Sequence, residues 1–90
     1  MSVLARFTPR SATLEQYDES IRRLEEGEWP PDGLDYHVCF LSDGNVRVSE
    51  IWDSQEQMNA FGERLMPLLE EIGIDPGEPE FLEIHNIVRR

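Results

Sequence analysis

Cations are scarce in this chain. Eight Lys and Arg stand against nineteen Asp and Glu, a formal net charge of −11 over 90 residues. Nucleic-acid binding draws much of its affinity from Lys and Arg that neutralise phosphates, so this surface repels a polyanion, and an anionic membrane for the same reason. Cysteine is scarcer still: Cys39 stands alone, cannot close an intramolecular disulfide, and leaves nothing that requires an oxidising compartment. Long apolar runs are missing too. No stretch approaches the ~20 apolar residues needed to span a bilayer, and Met1–Arg10 has neither the apolar core nor the cleavage site of a secretory signal. The expectation is a cytoplasmic protein with no nucleic-acid and no membrane partner.

The acids are scattered rather than gathered in a tail, with Glu25, Glu26 and Glu28 in one group, Glu70 and Glu71 in another, and Glu78, Glu80 and Glu83 beyond. They read as solvated faces. The length suits one domain, residues 1–90. A chain this short buries only about 60–65% of its unfolded surface, so a dimer interface is a natural supplement to its core.

Hydrophobic spacing divides the chain into six elements. Ser2–Thr8 alternates as a strand, with Val3, Ala5 and Phe7 on one face and Leu4 on the other, and Pro9 ends it. Over Ala12–Glu26 the period lengthens: Leu14, Tyr17, Ile21 and Leu24 form a helical stripe, Ser11 or Thr13 can cap it, and Gly27 sits where a left-handed C-terminal cap is expected. The stiff segment Trp29-Pro30-Pro31-Asp32-Gly33 follows. Leu34–Ser42 and Asn45–Asp53 then flank Asp43-Gly44, a strong type I′ hairpin signal. Ser54–Ile72 returns to helical spacing through Met58, Phe61, Leu65, Leu68, Leu69 and Ile72, with a Ser54/Gln57 capping box. Within it Pro67 is expected to kink or split the helix near Leu65, and Gly73 closes it. A turn-rich linker leads to a last strand, Glu80–Val88. The order βαββαβ predicts an α+β, ferredoxin-like fold: a four-stranded antiparallel sheet with two helices on one face. Its other face has no cover within the chain, which calls for a partner or a ligand.

The hairpin register sorts the side chains. With Asp43-Gly44 as the turn, Leu41 pairs with Val46, Cys39 with Val48 and His37 with Glu50. One face then carries His37, Cys39, Leu41, Val46, Val48, Glu50 and Trp52, and the other Tyr36, Val38, Phe40, Arg47, Ser49 and Ile51. The second set, apolar at its centre, is the expected helix-packed face. The first mixes aliphatics with His, Cys, Glu and Trp, as small-molecule pockets do. His37 beside Glu50 reads as an acid–base pair, in which the carboxylate holds the imidazole in one tautomer, or as a structural cross-strand pair. Trp52 can stack on an aromatic ligand, Cys39 and Val48 lie on the same face, and His85 with Asn86 on the last strand can anchor polar atoms. Core packing is the ordinary role of Trp52, and Trp29 can instead pack at a subunit edge. No Cys-x-x-Cys or His-Glu-x-x-His motif occurs, so no metal is expected.

Several of these stretches together resemble the dimeric α/β-barrel superfamily, near the antibiotic biosynthesis monooxygenase-like group. They are Gly33-Leu34 through His37-Val38, the hairpin Asp43–Val48, Ile51-Trp52-Asp53-Ser54-x-Glu56-x-Met58-x-x-Phe61, Arg64–Leu69 with Gly73-Ile74, and His85-Asn86. The resemblance implies a homodimer whose sheets pack face to face, with a hydrophobic cavity in each protomer. It implies either a protein that binds a small, largely apolar or aromatic molecule, or a cofactor-independent monooxygenase-like enzyme acting on an aromatic or polyketide-type substrate. Haem-degrading relatives use an Asn on the first strand, and Ser2–Phe7 has none. No cofactor is therefore expected, with His37 as base or acid and Glu50 as its orienter.

Overall fold

The hairpin sets the register of the sheet. In a computed structural model, which describes residues 2–90, Asp43 and Gly44 take φ of 53° and 80°, the double positive φ of a type I′ turn. Strands β2 (Leu34–Ser42) and β3 (Asn45–Trp52) pair as expected, with Leu41 opposite Val46, Cys39 opposite Val48 and His37 opposite Glu50. A bulge at Asp35 restores Leu34 to the partner of Trp52. Strand β1 (Val3–Phe7) lies against the other side of β3, and β4 (Glu80–Glu83) against β1, all antiparallel in the order β2-β3-β1-β4. With helices α1 (Leu14–Glu25) and α2 (Gln55–Ile72) this is the α+β, ferredoxin-like plan.

Local chemistry explains the helix ends. Thr13 caps α1 in a full box: its hydroxyl accepts from Gln16 N–H at 3.1 Å, and Gln16 Oε1 accepts from Thr13 N–H at 2.9 Å. Gly27 is not a left-handed cap. Here α1 closes on right-handed Glu26, and Gly27 N–H bonds the Leu24 carbonyl at 3.1 Å, a tight 3₁₀-type finish. On α2 only half the box forms, because Gln57 Oε1 takes the Ser54 hydroxyl hydrogen rather than its backbone N–H. Pro67 does not split α2, which runs unbroken to Ile72 and ends on left-handed Gly73. Strand β4 stops at Glu83, short of the expected Val88.

The expected assignment of the sheet faces is inverted. Both helices cover the side that carries His37, Val46, Val48, Glu50 and Trp52, while Tyr36 (54% exposed) and Phe40 (43%) stand open on the other. Apolar content alone does not decide facing. The polar groups of the covered face are paired with one another and with α1, so burying them leaves no buried side-chain polar atom without a partner among the described residues. The core is built on Ala5, Leu24, Trp52, Met58 and Phe61, with Ile21, Leu65 and Leu68 from the helical stripes packed around them. Leu14, at the start of the α1 stripe, stays exposed.

Gly33 ties this core to the start of α2. Its φ is +89°, its carbonyl accepts from Asp53 N–H at 2.8 Å, and a Cβ there would meet the Gln57 side chain at 2.5 Å. Left-handed backbone costs a non-glycine residue about 1–2 kcal/mol, to which the displacement of Gln57 adds. Gly33→Ala is therefore expected to destabilise the fold by about 2 kcal/mol or more, read as a lower urea midpoint with an unchanged slope.

Candidate functional site

Four side chains from three elements meet in one hydrogen-bonded row. Helix α1 presents Tyr17, whose hydroxyl lies 2.7 Å from His37 Nε2 on β2. On its other side His37 Nδ1 is 2.6 Å from Glu50 Oε2 on β3. Glu50 Oε1 accepts from the Trp52 indole N–H at 3.0 Å. The two β3 residues share a face because they are two apart, His37 joins them through the hairpin register, and Tyr17 arrives because α1 packs its stripe over β2. The Tyr17 and His37 rings lie nearly parallel with centroids 5.9 Å apart, and Trp29 stands edge-on to His37 at 5.7 Å.

Directions in this row follow from what each group can donate. An ionised carboxylate only accepts, so with Glu50 charged, His37 Nδ1 carries a hydrogen and a neutral ring turns a lone pair at Nε2 toward Tyr17. Burial pushes the Tyr17 phenol up to about 12, with Cys39, Glu50 and Asp18 adding to the effect. The phenol thus keeps its proton at neutral pH and donates to Nε2. Its contribution to stability is whole below pH 10 and is lost as pH rises from 10 through 12. Ultraviolet titration is expected to show a phenolate step near pH 12 that Tyr17→Phe removes.

Tyr17, His37 and Glu50 of this row form one wall of an otherwise largely apolar cavity of about 80 Å³ between the sheet and the helices. Val48, Ile21, Leu24, Phe61 and Leu65 line much of the rest. Outside it, a groove of about 380 Å³ shares Tyr17, Ile21, Trp29 and His37 with the cavity, so these four side chains separate the interior from solvent beside the edge strand β2.

The expected site residues separate in space. His37, Glu50 and Val48 line the cavity together. Trp52 is completely buried, outside the lining, and acts on it only through its bond to Glu50. Cys39 flanks the site without lining it, and burial, with Asp18 after it, raises its thiol pKa. His85 and Asn86 lie beyond the end of β4, exposed and away from the cavity. Tyr17 and Trp29 were not expected here. An aromatic with a polar tip inside an aliphatic stripe needs a buried partner, and that signal pointed to Tyr17. The aromatic wall is Trp29, not Trp52, because the Trp29-Pro30-Pro31 segment folds back over His37.

With this geometry in place, the chain can be set beside solved structures. SnoaB, a cofactor-independent oxygenase from Streptomyces nogalater, superposes with a TM-score of 0.64 at 13% identity, over 99% of this chain and 96% of its own. A proposed antibiotic biosynthesis monooxygenase from Deinococcus radiodurans gives 0.62 at 14%, over 100% and 98%. Rv0793 from Mycobacterium tuberculosis gives 0.62 at 18%, over 98% and 97%. This chain has the antibiotic biosynthesis monooxygenase-like fold. No family model matches the sequence, and no curated protein matches it. In this fold two helices cover one sheet face, and the cavity lies beneath them. Among the described residues no helix is long and apolar enough to cross a membrane.

Proposed function

We propose that this protein binds a small, largely apolar molecule in the cavity between sheet and helices, and does so as a homodimer. The observation that carries the reading is the Tyr17–His37–Glu50 row, held from behind by Trp52, on the wall of a largely apolar space. Taking a carboxylate out of water costs several kcal/mol unless it is paired. Here it is paired, beside the space that the interior leaves between sheet and helices. Ligand sites combine an apolar lining with a few placed polar groups in this way.

The open sheet face supports the dimer. Tyr36, Phe40 and Leu82 are exposed there, with Leu4, Val38 and Ile51 half-buried among them. Native mass spectrometry of the protein purified without added ligand is expected to show twice the chain mass. The double substitution Tyr36→Glu with Phe40→Glu is expected to give monomer, since like charges would face each other across a two-fold axis. A wild-type monomer overturns the dimer.

A second reading, a cofactor-independent monooxygenase-like enzyme, is favoured by one observation: His37, backed by Glu50, is built to take a proton. In that case the protein removes a proton from an electron-rich aromatic substrate, which then reacts with oxygen itself. SnoaB, similar in fold, is a cofactor-independent oxygenase. The cavity of about 80 Å³ is well below the roughly 300–1,000 Å³ of drug-sized pockets, so a multi-ring substrate would also occupy the adjoining space of about 270 Å³ that shares Phe7, Glu50, Phe61, Leu65 and Pro76 with it. Oxygen uptake with aromatic substrates, compared between wild type and His37→Ala, separates the readings: uptake abolished by the substitution supports the enzyme, and no uptake by either leaves binding.

A further inference from the structure

The cavity wall is one-sided both in charge and in hydrogen-bond direction. None of the residues lining the cavity or the groove outside it is Arg or Lys. Arg22 and Arg23 pair with Glu19, Arg64 with the Glu28 carbonyl and Arg6 with Glu80, while the two arginines nearer the site are already engaged, Arg47 by the Val46 carbonyl and Arg89 by Asp35 at the groove. The formal charges close to Tyr17 are instead carboxylates, Glu50 and Asp18. An anion brought into the cavity would lose its water and meet like charge with no Arg or Lys in the cavity lining to offset it.

Hydrogen-bond capacity points the same way. Two hydroxyls reach the cavity wall, and each has spent its single hydrogen inside the protein. With His37 neutral, Tyr17 gives its hydrogen to Nε2, and Ser20 Oγ donates to the Tyr17 carbonyl at 2.6 Å. His37 has both nitrogens occupied, and Glu50 accepts at both oxygens. What remains for a ligand is oxygen lone pairs, foremost those of Tyr17 Oη, whose ring lines both the cavity and the groove.

Resting on the reading of the cavity as a ligand site, we propose that it selects a neutral single-ring molecule that donates a hydrogen bond, phenol being the simplest of the class, and that Tyr17 Oη is the atom that receives the hydrogen. Carboxylates of the same size are rejected. An engineered cavity of about 150 Å³ holds benzene; this cavity of about 80 Å³ opens beside Glu50 toward a further space of about 270 Å³, so a single ring is the class that fits against Tyr17.

The test is a titration of isotope-labelled protein with phenol, toluene and benzoate at pH 7, following the indole N–H signals of Trp29 and Trp52. Phenol is expected to bind at least as tightly as toluene despite its greater desolvation cost, and benzoate at least tenfold more weakly than phenol. Tyr17→Phe is expected to weaken phenol about tenfold, one buried hydrogen bond, and to leave toluene within twofold, which also shows that the variant keeps its cavity. Benzoate binding as tightly as phenol overturns the proposal. So does a phenol preference that survives Tyr17→Phe, or one that Ser20→Ala removes in its place. Toluene binding with phenol much weaker overturns the donor class while the cavity reading stands. If neither toluene nor phenol binds, the cavity reading falls and the proposal with it.

Discussion

Glu50→Ala is expected to lower the free energy of unfolding by about 3 kcal/mol, whereas Glu50→Gln is expected to stay close to wild type and to reverse the polarity of the cavity wall. The alanine variant leaves two donors, Trp52 Nε1–H and His37 Nδ1–H, without acceptors in a buried site. Each such group costs about 1–3 kcal/mol, partly offset by no longer burying a carboxylate. Glutamine keeps the shape. Its Oε1 can still accept from Trp52, but its amide now donates toward His37 Nδ1, which must become an acceptor. The imidazole hydrogen then moves to Nε2 and points at Tyr17 Oη, 2.7 Å away. Tyr17 can no longer donate to His37, so its own hydrogen is free for the cavity. Urea denaturation reads the first effect, and nitrogen NMR of the His37 tautomer reads the second. A Glu50→Gln protein that keeps the hydrogen on Nδ1 contradicts the directions assigned to this row.

Trp52→Ala is expected to cost about 3–5 kcal/mol, the range for deleting a large buried aromatic. The indole is fully buried at the end of the inner strand β3, packs against Phe61 with centroids 5.6 Å apart, and holds Glu50 by its N–H. A domain of this length has on the order of 5–13 kcal/mol in all, so at the low end this one substitution unfolds it. Trp52→Phe keeps most of the apolar area but leaves Glu50 Oε1 without its donor, and is expected to cost about 1–2 kcal/mol. Because Trp52 and Glu50 are bonded, Trp52→Phe and Glu50→Ala are expected to be non-additive by about 0.5–3 kcal/mol. A thermal or urea series on the single and double variants measures that coupling, and strict additivity would show that the bond carries no energy.

Much of this protein was legible in its residues. The Asp43-Gly44 turn set the β2/β3 register, and that register alone put His37 opposite Glu50. Periodicity found both helices, and Gly73 ended the second where expected. These features depend on neighbours in the chain or across one tight turn, where backbone geometry leaves few choices. Facing was different. A period of two says which side chains travel together, not which side a helix will cover, and both sides here carry apolar groups. The covered side was decided by Tyr17, twenty residues from His37 in sequence, which satisfies the imidazole that an apolar count would leave outside. The same long-range packing brought Trp29 over His37, drew Trp52 into the core, and left His85 and Asn86 beyond the sheet. Local sequence determined the elements and their pairing, because hydrogen-bonded turns and helical stripes are short-range. Only the tertiary structure decided which face became the interior, because that choice turns on satisfying buried polar groups between elements distant in the chain.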